Sequence, residues 1–360
     1  MRVLQIIDSL DAGGAERVAV NVANILSHNK DFKSYLCATR KEGLLKNSID
    51  KNVGYLCLNK KSTFDVSAIK KLRQFVKKNN IDILHAHSTS YFIATLVKLL
   101  VPNIKIVWHD HYGYRAFTNV RKSRVLQFCS RYFSSIICVN NNLKNWSKKY
   151  LKTANVTYLP NFAIQDTIKP TTILKGKNGE RILHLANLRP QKDHLTLLKT
   201  FKELLLMYPE YTLHCVGKNF EDEYAAQTMK HVYDLGLNDH VFFYGSRKDI
   251  TNILDQSAIC VLSSNSEGLP IALLEYGLAQ KPVIATDVGD CANVIDDGVN
   301  GVIVEKENPK LLAKELMHLI ENTSVAEAYA KQLKTKVENQ YSKEVYLREL
   351  IKIYKATIDA

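Results

Sequence analysis

Short runs of consecutive apolar residues alternate along this chain with stretches in which apolar residues recur every three or four positions. That alternation predicts a parallel sheet covered by helices. Val3–Ile7 reads as a buried strand, Ala15–Ser27 as a helix and Ser34–Ala38 as the next strand. The basic helix Val66–Lys78 precedes a strand at Ile81–Ala86, the helix Tyr91–Leu100 a strand at Lys105–Trp108, and the basic helix Lys122–Tyr132 a strand at Ser135–Val139. Together these form one doubly wound unit, closed by Thr157-Tyr158-Leu159-Pro160-Asn161-Phe162. The polar stretch Gln165–Glu180 has the Lys, Gly and Thr content of a linker.

A second alternating series follows: strand Arg181–Leu185, helix Leu195–Leu206, strand Tyr211–Val216, helix Glu223–Leu235, then strands at Val241–Tyr244, Ile259–Leu262, Pro282–Thr286 and Gly301–Val304. The expected architecture is therefore α/β, with two tandem Rossmann-like doubly wound domains facing a cleft. Ligands of open α/β sheets bind outside the carboxyl ends of the strands, so the chemistry is sought in the loops that follow them.

Composition changes this picture in three places. At 360 residues, 46% hydrophobic and 24% charged, the chain holds two ordinary soluble domains. Its seven cysteines form no Cys-x-x-Cys pair and sit mostly inside apolar runs, so they read as reduced core residues of a cytoplasmic protein. The Met1–Asp8 run is too short for a signal peptide, and Tyr91–Trp108 is broken by Lys98, Pro102 and Lys105, so any membrane contact is expected to be peripheral. The net charge of +13 is uneven: residues 1–165 carry 26 Lys and Arg against 9 Asp and Glu, while residues 166–360 carry 23 against 27. Clusters such as Lys70-Lys71-Leu72-Arg73, Lys77-Lys78, Arg121-Lys122-Ser123-Arg124 and Lys148-Lys149 point the first half at an anionic surface or polyanion. No nucleic-acid module accompanies them.

Five segments carry candidate chemistry. Gly13 and Gly14 follow the first strand, where glycine lets backbone amides approach a phosphate or an acceptor group. His85 and His87 share one strand face and would suit a metal, but no third ligand of recognisable spacing joins them, so no metal is expected; His109, ending its strand, is expected to touch substrate. Arg189 and Lys192, in a turn fixed by Pro190, suit a diphosphate. Ser266-Glu267-Gly268-Leu269-Pro270 leads into a helix on which Glu275 lies about two turns on, with Pro270 as its first residue. That places two carboxylates beside an anion-attracting helix start.

In order along the whole chain, these pieces make it similar to the group 1 retaining glycosyltransferases, GT-B fold enzymes that share a Glu-x7-Glu motif. The likeness rests on Gly13-Gly14-Ala15-Glu16, His109, Tyr158-Leu159-Pro160-Asn161-Phe162, Leu188-Arg189-Pro190-Gln191-Lys192, Phe243-Tyr244-Gly245, Glu267 through Glu275, and Lys281-Pro282-Val283-Ile284-Ala285-Thr286-Asp287-Val288-Gly289. The resemblance implies an acceptor domain at 1–165, completed by a C-terminal helix within 341–360 that crosses back to it, and a donor domain at 166–340. It implies that a UDP- or GDP-linked sugar is the donor and that no cofactor or metal is needed. Lys192 would hold the diphosphate, helped by Arg189; Asn187 stands where many members carry an arginine. Glu267 would meet the donor sugar and Glu275 the ribose, Gly268 and Leu269 would offer amides, His109 would contact the sugar, and Gly13 and Gly14 would complete the donor side. The expected acceptor is a lipid-linked glycan of cell-envelope polysaccharide biosynthesis, met at the inner face of the membrane. A soluble acceptor and a non-catalytic polyanion-binding role are the alternatives.

Overall fold

The computed structural model describes residues 1–11, 13–112, 124–165 and 168–359, and divides into two compact units. Unit 1 comprises 1–161 and 343–360; unit 2 comprises 162–342. Ala12 and most of the cluster at 121–124 lie outside the described residues.

In unit 1 the chain runs β1 (Arg2–Ser9), α1 (Gly14–Ser27), β2 (Lys33–Lys41), β3 (Gly54–Cys57), α2 (Val66–Lys78), β4 (Ile83–His87), α3 (Tyr91–Leu100), β5 (Lys105–Asp110), α4 (Arg124–Cys129), β6 (Ser135–Cys138), α5 (Asn141–Tyr150) and β7 (Val156–Tyr158). The strands form one parallel sheet in the order β3-β2-β1-β4-β5-β6-β7. Strands buried on both faces read as near-continuous apolar runs, which is why β1, β4 and β6 stand out in the sequence even though Gln5, His85 and His87 are polar residues buried within them. The edge strands β3 and β7 do not: Gly54-Tyr55-Leu56-Cys57 is only half-buried, and Val156-Thr157-Tyr158 is too short to show a period. Helix α2 turns Ala68, Leu72 and Val76 inward and leaves Lys70, Lys71, Lys77 and Lys78 exposed. Asp65 caps its start by accepting from the Ala68 amide at 3.0 Å.

Unit 2 runs β8 (Arg181–Leu185), α6 (His194–Leu205), β9 (Thr212–Val216), α7 (Glu223–Asp234), β10 (Val241–Phe243), α8 (Ile250–Asp255), β11 (Ile259–Leu262), α9 (Ile271–Leu278), β12 (Val283–Thr286), α10 (Cys291–Val294), β13 (Val302–Val304), α11 (Pro309–Glu321) and α12 (Thr323–Gln340). Its parallel sheet has the order β10-β9-β8-β11-β12-β13. The final helix α13 (Lys343–Asp359) belongs to unit 1 and buries Tyr346, Leu350 and Tyr354 there.

The stretch read as a linker is, over its described part, bound to unit 2. Asp249 accepts from the amides of Thr171 and Thr172 at 2.8 and 2.7 Å and from the Thr172 hydroxyl at 2.8 Å. Burial raises the Asp249 pKa, but these hydrogen bonds together outweigh it and leave the group well below the usual carboxylate range. Composition showed the polar residues and not the carboxylate that collects them. All seven cysteines are free, six of them buried and Cys57 half-buried.

Candidate functional site

In each sheet the strand order reverses at one place, between β1 and β4 in unit 1 and between β8 and β11 in unit 2. Neighbouring strands diverge there and their following loops part, which leaves backbone groups to be satisfied by side chains. In unit 2 the Leu185 amide donates to Tyr276 Oη at 2.8 Å, and the Val261 carbonyl accepts from His184 Nδ1 at 2.9 Å.

Above that opening, the loop after β8 and the loop after β11 are knitted together. The Asn265 amide donates to the Gln191 carbonyl at 2.8 Å, and Ser263 Oγ donates to the carbonyls of Lys192 and Asp193 at 3.1 and 3.2 Å. Asp193, in the left-handed region at φ 47°, caps α6 by accepting from the Thr196 amide at 3.1 Å. The tie brings Lys192 Nζ to 2.5 Å from Glu267 Oε1, with the two side chains 23% and 9% exposed. Ser264 Oγ donates to the same oxygen at 2.6 Å. An ammonium so held is a positive charge fixed at a loop crest and open to solvent on one side, which is what a diphosphate requires.

The backbone of Glu267 and Gly268 is pinned from a third loop. The Asp290 amide donates to the Gly268 carbonyl at 2.8 Å. Gly289 has φ 58°, and a Cβ there would lie 2.4 and 2.5 Å from the carbonyl oxygens of Glu267 and Gly268, so only glycine permits the approach.

The remaining candidates are distributed around this pair. Pro270 is the cap rather than the first residue of α9, with extended backbone at ψ 123°. Because the helix begins at Ile271, Glu275 is one turn in; it lines a small recess with Gln165, Ile250, Thr251 and Leu278. Leu269 is buried, its side chain part of the loop's anchorage. Arg189 is engaged elsewhere: its guanidinium lies 3.4 Å from the centre of the Phe220 ring and 3.4 Å from Asp222 Oδ2. Asn187 Oδ1 accepts from the Lys218 amide at 2.7 Å, a structural task in the same neighbourhood. Ser264, Phe220, Asp222 and Gly289 are supporting residues whose parts sequence reasoning did not assign; only Gly289 lay within a recognised stretch.

Unit 1 places Gly13 as the extended cap of α1, the Gly14–Ser27 helix, with the Arg17 amide donating to its carbonyl at 2.9 Å. A Cβ on Gly13 would meet the movable carboxylate of Glu16, so packing alone does not demand glycine there. His109 is fully buried, and its surroundings correct the expectation that His85 and His87 lack a third candidate ligand. The register His87↔His109 sets them side by side, with one ring nitrogen from each of His85, His87 and His109 within 4.8 Å of the others. The third histidine comes from a neighbouring strand, where spacing along the chain does not reveal it. The rings of His85 and His87 nevertheless stack at 4.4 Å and 17°, and their nitrogens pair with His109, His111, Gln5 and Tyr354.

Residues 165–336 match the family model described as glycosyl transferases group 1, and residues 12–163 match that of glycosyltransferase family 4. An uncharacterized glycosyltransferase of Haemophilus influenzae is 26% identical over 324 residues, covering 86% of this chain and 88% of its own. The UDP-Gal:alpha-D-GlcNAc-diphosphoundecaprenol alpha-1,3-galactosyltransferase of Escherichia coli is 24% identical over 356 residues, 91% of this chain and 90% of its own. In fold, the chain is similar to HepE of Anabaena, crystallised with UDP and glucose, at a TM-score of 0.84 and 17% identity over 99% of this chain and 100% of that one. With one family model on each half and relatives along most of its length, the chain belongs to the group 1 glycosyltransferases of the GT-B fold.

Proposed function

We propose that the protein transfers a sugar from a UDP- or GDP-sugar to a hydroxyl of a lipid-linked glycan, with retention of anomeric configuration and without a metal. The observation that carries this is the Lys192–Glu267 pair at the place where the strand order of unit 2 reverses. A diphosphate arriving there accepts from Lys192 and from the amides of Gly268 and Leu269, and frees Glu267 to accept from a hydroxyl of the donor sugar. Glu275 is assigned to the ribose, and His109 to the sugar. Gly13 and Gly14 are assigned to the same donor. As the bond from the anomeric carbon to the diphosphate breaks, Lys192 stabilises the charge left on the departing oxygen. The acceptor oxygen bonds to the same face of that carbon, and its proton passes to the leaving phosphate. Two carboxylates are thus used as sugar ligands, not as a glycosidase acid and nucleophile.

A thermal-shift screen against nucleoside diphosphates tests donor binding, since a ligand that binds only the native state raises the melting temperature. UDP or GDP is expected to raise it in the wild type and to do so much less in Lys192→Ala. No shift with any nucleoside diphosphate would overturn the reading. Proton NMR of the product fixes the anomeric outcome, and activity that requires a divalent ion after chelation would refute metal independence.

The lipid-linked acceptor is supported by the activity for which the Escherichia coli relative is named and by the surface of unit 1. Exposed Lys70, Lys71, Lys77 and Lys78 share α2 with exposed Val66, and Phe64 just before it is 69% exposed. Basic and apolar groups together favour the headgroup region of an anionic bilayer at the inner membrane face. Among the described residues no helix is long and apolar enough to cross a membrane. Equal partition onto neutral and anionic vesicles at low salt would remove the membrane from the proposal, and transfer to a water-soluble glycan alone would favour a soluble acceptor.

A further inference from the structure

Four histidines of unit 1, His85, His87, His109 and His111, form a chain of hydrogen bonds with a direction. Gln5 Oε1 faces His87 Nε2 at 2.9 Å, and Gln5 Nε2 donates to Tyr354 Oη at 3.3 Å. The phenol of Tyr354 lies 2.6 Å from His85 Nδ1, and His85 Nε2 lies 3.2 Å from His109 Nδ1. His109 Nε2, at the end of this chain, is buried and has no hydrogen-bond partner among the described residues.

The three fully buried rings are neutral at ordinary pH. Burial, then neighbouring histidines, depress His85 to about 3 and hold His87 and His109 well below 6.5. Each neutral imidazole has a single N–H, so its two nitrogens have opposite roles and a bond to one decides the other. Burial also pushes the Tyr354 hydroxyl upward, so it keeps its proton. Its oxygen is occupied by the Gln5 amide N–H, and a phenol is a better donor than an imidazole N–H. Tyr354 therefore donates to His85 Nδ1, His85 must carry its proton on Nε2, and that proton points at His109 Nδ1. The one N–H of His109 is then on Nε2.

We propose that Tyr354, acting through His85, is a positioning residue that holds His109 as the Nε2–H tautomer, so that this nitrogen meets the substrate as a hydrogen-bond donor. The inference rests on the reading that His109 touches the donor sugar, and adds which polarity that contact has: an oxygen that accepts. Gln5 orients Tyr354, and helix α13 carries the phenol to His85 in the middle of β4. The same logic runs through the other arm, where Gln5 Oε1 takes the N–H of His87 Nε2 and His111 Nε2 donates to His87 Nδ1 at 3.0 Å.

The test is two-bond proton–nitrogen NMR on full-length protein labelled with ¹⁵N-histidine, at neutral pH, joined to initial-rate kinetics. Wild-type His109 is expected to show its proton on Nε2. Tyr354→Phe, which keeps the ring and removes the donor, is expected to give mixed tautomers at His109 and to lower kcat about tenfold, the worth of one lost hydrogen bond. His85→Gln keeps a donor near the Nε2 position and is expected to stay within about threefold of wild type in kcat, whereas His85→Leu falls with Tyr354→Phe. A wild-type His109 protonated on Nδ1, or a His109 tautomer and kcat indifferent to Tyr354→Phe, would overturn the relay. A tautomer that shifts as stated while transfer by His109→Leu remains at the wild-type rate would instead overturn the substrate contact.

Discussion

The two units place different chemistry at the same point of the same topology. Where strand order reverses in unit 2, the loops carry a formal charge pair, Lys192 and Glu267, partly open to water and ready to exchange one partner for an anion. Where it reverses in unit 1, the strands carry uncharged imidazoles, fully buried and hydrogen-bonded in series. Charge at a crest stabilises a leaving group; neutral rings in a dry interior fix the direction of a single N–H. The fold supplies the location, and the side chains decide whether it binds charge or orients a dipole.

The sharpest way to break this contrast is Lys192→Ala. Kcat for sugar transfer is expected to fall roughly 10²–10³-fold, the usual cost of removing a group that stabilises transition-state charge, with little change in melting temperature. A loss under about tenfold at saturating donor would deny the ion pair its catalytic part.

Acid should act first on the neutral side. The buried histidines have folded pKa values below the ordinary 6.5, so between those values the unfolded chain takes up protons that the folded one refuses. Their contribution is intact above pH 6.5 and declines as pH falls below it, by up to about 1.4 kcal/mol per pH unit for each histidine. In unit 1 burial also depresses His111 to about 3, making four such residues; His184 and His214, each depressed to about 4, and His194 give unit 2 the same sign from three. Hydrogen exchange at β4 and β5 is therefore expected to accelerate more than at β8 and β11 between pH 7.5 and 5.5. Equal acceleration would erase the distinction.

A smaller effect separates the carboxylate's position from its charge. Gly289→Ala leaves every charged group in place but puts a methyl against the Glu267 and Gly268 carbonyls at positive φ. The expected cost is about 2 kcal/mol of stability with a raised KM for donor. A KM unchanged at lower melting temperature would show that Glu267 does not depend on that loop.

Much of this was legible in the sequence, for a physical reason that differs by element. Central strands of a parallel sheet are largely apolar, so β8 and β11 are visible by inspection, and α2 and α3 have the bounds their periodicity predicts. Edge strands β3 and β7 have no such run. Lys192 and Glu267 could each be nominated because they stand in loops after strands, but their 2.5 Å meeting across 75 residues is a tertiary fact. The histidine series is hidden more deeply. It needs the β4–β5 register to bring His109 beside His87, and a tyrosine 269 residues beyond His85 to complete it.

Helix α13 also imposes an order of assembly. Residues 162–342 form a unit of their own, inserted between β7 and the helix that finishes unit 1. On a ribosome, β1 through β7 emerge first, yet the sheet that they build lacks Tyr354 against His85 until the whole of unit 2 has been synthesised. The nascent first half must wait with that face of its sheet uncovered. A chain released early, with unit 2 complete and α13 missing, would keep the charge pair and lack the group that orients His109.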